Sequence, residues 1–131
     1  MSKIPAYKPS GYNSASPYFI INGAQQFIDL MDLLFHAKVL RRFDREDASI
    51  MHAELLIDDS VIMLSDATEE FPPIKLVMHV YVPDVEATFR KAIALGCEPF
   101  EEPKESEGEP DRRGTFLDFA GNMWSISTQK S

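Results

Sequence analysis

Apolar residues fall into two distinct rhythms along this chain. Tyr18-Phe19-Ile20-Ile21 is a short aromatic and β-branched run that stops at Asn22-Gly23, the composition of a strand entering a turn. From Ala24 to Phe35 the spacing changes. Phe27, Leu30, Met31, Leu34 and Phe35 recur at i, i+3, i+4, i+7 and i+8, which is one stripe of a helix, and Gln25, Gln26, Asp29 and Asp32 fall outside it. Three strand-like segments follow, Lys38 to Asp44, Ile50 to Ile57 and Ser60 to Ser65, the last two joined by Asp58-Asp59 in a tight hairpin. The pattern predicts β-α-β-β-β.

Thr68-Glu69-Glu70-Phe71-Pro72-Pro73 then breaks the rhythm, and the same order restarts. Lys75 to Val82 reads as a strand and Asp84 as a helix N-cap. Val85, Phe89, Ala92 and Ile93 give helical spacing, and Gly96 sits where a helix end favours a left-handed residue. Short strands are predicted at Glu98 to Glu101, Thr115 to Phe119 and Met123 to Thr128. The acidic stretch from Glu102 to Asp111, with Gly108 and Pro110, reads as a mobile connection, either a lid over a binding site or a plain link. The two strand-helix starts lie about 58 residues apart, which points to a structural duplication, with a ferredoxin-like sandwich carrying extra strands as the rival. The fold class is α+β. Residues 1–16, with Pro5, Pro9, Ser10, Gly11, Asn13, Ser14 and Ser16, have no periodicity and read as an irregular arm, and residues 17–131 as a single domain.

Composition narrows the functions open to such a domain. At 131 residues, 44% hydrophobic and 11% aromatic, the chain can bury one continuous core. A net charge of -8 and no Lys/Arg cluster along a helix set nucleic acid and anionic membranes aside as partners. The opening residues lack the apolar core of a signal peptide and no run is long enough to span a bilayer, so the cytoplasm is the expected compartment. One cysteine, Cys97, cannot form an internal disulfide and reads as a small buried hydrophobe. Neither a nucleophile-elbow signature nor a phosphate-cradling glycine loop is present, which argues against triad hydrolases, kinases and dinucleotide enzymes.

Several stretches resemble the vicinal oxygen chelate superfamily, which includes glyoxalase I, extradiol dioxygenases and bleomycin-resistance proteins, and most of all its PhnB-like branch. These are Met51-His52-Ala53-Glu54-Leu55 leading into Asp59 to Asp66, then His79-Val80-Tyr81-Val82 with Asp84-Val85, and finally Asp111-Arg112 with Gly114, Asp118, Gly121 and Trp124-Ser125-Ile126. The resemblance implies two βαβββ modules, about residues 17–66 and 75–128, forming a cupped mixed sheet with helices on the outer face, assembled as a homodimer. In catalytic members a divalent metal, held by two ligands from each module, binds neighbouring substrate oxygens in the cup as a Lewis acid. Carried over position by position, His79 matches the ligand that opens the second module and Glu54 the acidic ligand of the first. The other two positions fall near Ser16 or Pro17 and on Ser125, which do not complete the set.

Strand alternation puts His52 on the same face as Glu54, so His79, Glu54 and His52 form a candidate ligand set for Zn, Mn, Ni or Fe, with Glu54 also a candidate catalytic base. The blander expectation, and the preferred one, is that both histidines are hydrogen-bonded and metal-free. The same cup could then bind a planar small molecule by stacking, with Tyr18, His52, Tyr81, Arg113 and Ser125 as the contact residues; the tyrosines could equally serve as core, and Arg112 or Arg113 as a solvated hairpin end. Trp124, on the opposite face from Ser125, reads as packing beneath a helix. The leading expectation is a PhnB-like small-molecule binder. The alternatives are a metal-dependent lyase, isomerase or dioxygenase, and a non-enzymatic interaction module with a vestigial cup.

Overall fold

The first helical stripe is buried where it is expected to be. In a computed structural model that describes residues 6–130, helix α1 spans Ala24–Phe35, and Phe27, Leu30, Met31, Leu34 and Phe35 are all buried with Ala24 and Ile28. The first five residues of the expected arm and the terminal Ser131 lie outside the described residues. The chain divides into unit 1, ending at Phe71, and unit 2, starting at Pro72, and each is described by itself.

Unit 1 has strands β1 (Tyr18–Ile21), β2 (Lys38–Asp44), β3 (Ile50–Ile57) and β4 (Ser60–Asp66) around α1. Its sheet runs β1-β4-β3-β2, with β1 parallel to β4 and the other pairs antiparallel. The Asp58-Asp59 hairpin forms as expected, and Asp58 takes the left-handed backbone (φ 51°) that its short polar side chain tolerates. On the helix side, Phe19, Ile21, Ala53, Leu55, Ile62 and Leu64 close the core. Asp66 ties the unit together, since its carboxylate accepts from the Ala24 N–H at the start of α1 and from the Ile50 N–H at the start of β3. A distant carboxylate thus does the work of a local cap.

Unit 2 repeats the order with β5 (Val77–Tyr81), helix α2 (Val85–Ala94), β6 (Glu98–Glu105), β7 (Asp111–Leu117) and β8 (Met123–Gln129), its sheet running β5-β8-β7-β6. The α+β class and the doubled βαβββ order hold. Asp84 caps α2 by accepting from the Ala87 N–H, and Gly96 (φ 100°) takes the left-handed turn after it. Trp124 lies fully buried on the side where α2 packs, as its place opposite Ser125 implied. Its Nε1–H donates to Asp118, whose carboxylate also accepts from the backbone N–H groups of Ala120 and Asn122 and from the Asn122 amide.

Some boundaries differ from expectation. The strand expected over Lys75–Val82 is shorter, because the Leu76 N–H is taken by the Asn122 side chain and the parallel ladder opens at Val77↔Met123. Glu102–Glu105 extend β6 and Asp111 opens β7, leaving 106–110 as the connection. The reason is cross-strand pairing: Lys104 faces Arg113 and Glu105 faces Arg112 after a register shift past Glu101. Gly114 permits the shift, since a Cβ there would meet Pro103 at 3.0–3.2 Å.

Candidate ligand-binding site

In unit 1 the sheet face turned away from α1 carries Tyr18 and Ile20 of β1, Met63 of β4, and His52, Glu54 and Leu56 of β3, as period-two alternation requires. Glu54 is the anomaly, a carboxylate only 5% exposed. Three groups satisfy it. The Tyr12 hydroxyl donates to Oε1 at 2.5 Å, His52 Nε2 lies 2.8 Å from Oε2, and Arg41 Nε stands 3.7 Å from Oε1. On the other side of the imidazole, the Tyr18 hydroxyl sits 2.9 Å from His52 Nδ1. An ionised Glu54 can only accept, so a neutral His52 carries its proton on Nε2 and accepts from Tyr18 at Nδ1. The result is a directed chain from Tyr18 through His52 to Glu54.

Burial by itself raises the Glu54 pKa, but the hydrogen bonds from Tyr12 and His52 and the nearby charge of Arg41 outweigh it and hold the carboxyl below its ordinary value. The same contact raises the Tyr12 phenol, chiefly through its hydrogen bond to Glu54. A carboxylate held in its ionised form is a firm hydrogen-bond acceptor and a weak general base near neutral pH.

Arg41 reaches Glu54 through a backbone irregularity. Uninterrupted pairing from Asp44↔Ile50 would set Leu40 opposite Glu54. Shifts between Phe43 and Asp44 and around Leu40 set Arg41 there instead, and bring Phe43 opposite His52. Phe43 stacks at 6.4 Å from the His52 ring and Tyr18 tilts against it at 5.6 Å. Tyr12 comes from the arm, fixed there by Asn13, whose side-chain oxygen accepts from the Val61 N–H of β4 at 2.9 Å. Neither Tyr12 nor Arg41 is legible in hydrophobic periodicity; the one trace of the first is the polar Asn13 beside it.

In unit 2 the corresponding face holds His79 and Tyr81 of β5, Ser125 and Ser127 of β8, and Thr115 and Arg113 of β7. His79 is exposed, with Nε2 2.9 Å from the Ser127 hydroxyl and its ring edge-on to Tyr81 at 4.7 Å. Ser125 is the register partner of His79. The Tyr81 hydroxyl donates to Asp111 at 2.7 Å, a bond that raises its pKa. Arg113 is exposed on this face opposite Ser127, whereas Arg112 turns to the helix side, where its guanidinium pairs with Glu86 and donates to the Pro103 carbonyl. Cys97 is buried, and burial, with Asp118 nearby, pushes its thiol up to about 11, which fits a packing role.

Within each unit, no group of three or more His, Cys, Asp or Glu side chains among the described residues could hold a metal. His52 and Glu54 are bound to each other, and their remaining atoms are engaged by the two phenols. As arranged, this pair does not fit a metal.

This architecture is the fold of the vicinal oxygen chelate superfamily, as the sequence resemblance implied. Solved structures that share it include TioX from Micromonospora sp. ML1 (TM-score 0.72, 17% identity, 89% of this chain and 100% of that one). The fosfomycin resistance protein FosX from Listeria monocytogenes, complexed with Mn(II) and sulfate, matches at TM-score 0.70 and 15% identity over 90% of each chain. The PhnB protein from Bacillus cereus matches at TM-score 0.69 and 12% identity, over 88% of this chain and 99% of that one. At such identities the likeness is one of fold. In sequence, the uncharacterized proteins Mb0911c of Mycobacterium bovis and Rv0887c of Mycobacterium tuberculosis are each 29% identical over 122 residues, spanning 85% of this chain and 80% and 71% of their own lengths. No protein-family model matches the chain. Among the described residues no helix is long and apolar enough to cross a membrane.

Proposed function

We propose that this chain is a PhnB-like small-molecule-binding protein, with residues 17–131 acting as one ligand-binding domain. In unit 1 Tyr18 and His52 contact the ligand and Glu54 serves as the fixed acceptor; in unit 2 Tyr81, Arg113 and Ser125 are the contact residues of that unit's own sheet face. The observation that carries this reading is Glu54 itself. An ionised group this buried costs stability unless it is paired, and here a tyrosine, a histidine and an arginine maintain it on the sheet face turned away from α1. The aromatic rings around it suit a planar partner. A free, buried Cys97 accords with action in the cytoplasm, and a homodimer accords with the resemblance.

The test is NMR of protein labelled at histidine, titrated with a panel of planar aromatic compounds. Saturable shifts at His52, weakened in Glu54→Gln and unaccompanied by turnover, are the expected result. A panel that leaves both His52 and His79 unmoved would sink the reading.

A metal-dependent lyase, isomerase or dioxygenase using His79, Glu54 and His52 is the second reading, favoured by the FosX structure that contains Mn(II). It requires the Tyr12 and Tyr18 hydrogen bonds to open. Stoichiometric Mn(II) uptake with line broadening at both histidines would establish it over the first reading.

A further inference from the structure

Tyr12 is attached to the rest of unit 1 in an uneven way. The residue after it is anchored: Asn13 bonds both to the Val61 N–H and to the Ser16 hydroxyl. On the other side, among the described residues, the Tyr12 N–H bonds to the Pro9 carbonyl, within the arm's own turn. The phenol therefore reaches across the sheet face from a fixed pivot, and a rotation at Tyr12 would withdraw it while leaving the strands undisturbed. Its ring is half-buried and lies beneath the Arg41 guanidinium, 5.4 Å from Cζ to the ring centroid, while its hydroxyl donates to Glu54.

We infer that the site around Glu54 is a phenol-recognition site, and that Tyr12 occupies it as an intramolecular stand-in for the ligand. The assignment rests on the small-molecule-binding reading above and names its ligand class. Glu54, ionised and already receiving from His52, has an oxygen that demands a donor. Arg41 presents a cation to a flat ring, which an aliphatic alcohol lacks. An ammonium ligand would satisfy Glu54 but would meet the Arg41 charge, and an aryl ether would keep the ring but leave the carboxylate without its donor. A neutral phenol meets both demands, and its pKa near 10 keeps it neutral at physiological pH.

A tethered competitor lowers the apparent affinity of any free ligand by the fraction of time it vacates the site. Titrations by NMR at His52 use phenol and 4-methylphenol, with anisole and cyclohexanol as matched controls, on the native chain, Tyr12→Ala and Tyr12→Phe. The phenols should bind Tyr12→Ala about tenfold more tightly than the native chain, with Tyr12→Phe between them because it keeps the ring and loses the donor. Anisole and cyclohexanol should bind neither variant measurably. Equal phenol affinity across the native chain and Tyr12→Phe, or anisole matching phenol, overturns the assignment, and the Phe variant decides this even if the Ala variant fails to fold. If phenols are silent while another planar compound shifts His52, the phenol class falls and the binding function stands. If every compound is silent, both fall.

Discussion

Units 1 and 2 share a topology, and each carries a tyrosine on its first strand, at the start of β1 and at the end of β5, yet they surround it with opposite charges. Tyr18 of β1 pairs with Met63 of β4, which pairs with Glu54 of β3; Tyr81 of β5 pairs with Ser127 of β8, which pairs with Arg113 of β7. Each tyrosine then bonds to the side chain two residues before that charged position, His52 in unit 1 and Asp111 in unit 2. The first strand of each unit thus brings a phenol onto the sheet face at its own register, and the sequence of the third strand decides what it meets. A carboxylate with an imidazole forms an acceptor site covered by the arm in unit 1. In unit 2 an arginine with an aspartate leaves Tyr81 62% exposed.

The cores differ as well. Helix α1 buries seven residues, whereas α2 buries three, and unit 2 adds the Asp118 hub beneath Trp124. The largest expected effect is therefore in unit 1: Phe27→Ala should cost about 3–5 kcal/mol in urea unfolding followed by circular dichroism. In unit 2, Asp118→Ala should cost about 2–3 kcal/mol, read from the fluorescence of Trp124, because it leaves the indole N–H and the Asn122 amide buried without an acceptor. If Asp118→Ala is silent, the contrast between an apolar and a polar core is wrong. Gly114→Ala, which forces a methyl against Pro103, should cost about 1–2 kcal/mol; a neutral result would mean that the β6-β7 pairing yields.

The electrostatic contrast is tested by acid. Because the folded-state pKa of Glu54 is depressed, its contribution to stability is present above the unfolded carboxyl value and is lost as pH falls through the folded one. Glu54→Gln should flatten the acid limb of the stability profile below the ordinary carboxylate range. An unchanged limb would show that Glu54 is not held by its three partners. The smallest effects belong to the tyrosines. Tyr18→Phe should cost about 1 kcal/mol in chemical denaturation and Tyr81→Phe less, since Tyr81 is 62% exposed against 39% for Tyr18; the reverse order would break the comparison.

Strand and helix identities were legible because the two units state their periods cleanly, from Phe27 to Phe35 in one and Val85 to Ile93 in the other. Alternation likewise puts His52 with Glu54, and Trp124 opposite Ser125. What alternation cannot report is a break in itself. The bulged pairing of β2 turns Arg41 and Phe43 onto the Glu54 face and Arg42 onto the helix side, where it bonds Gln25. Nor does the spacing of apolar residues announce that an aperiodic arm returns across 42 residues to place Tyr12 on Glu54.

By itself, the sequence determined the doubled βαβββ order and which strand faces are polar, because both follow from local periodicity and the geometry of the extended and helical backbone. Only the tertiary structure decided that Glu54 is engaged by Tyr12, Arg41 and His52, because these contacts depend on a slip in register and on the return of the arm that carries Tyr12. Both are set by long-range packing, and no local pattern encodes them.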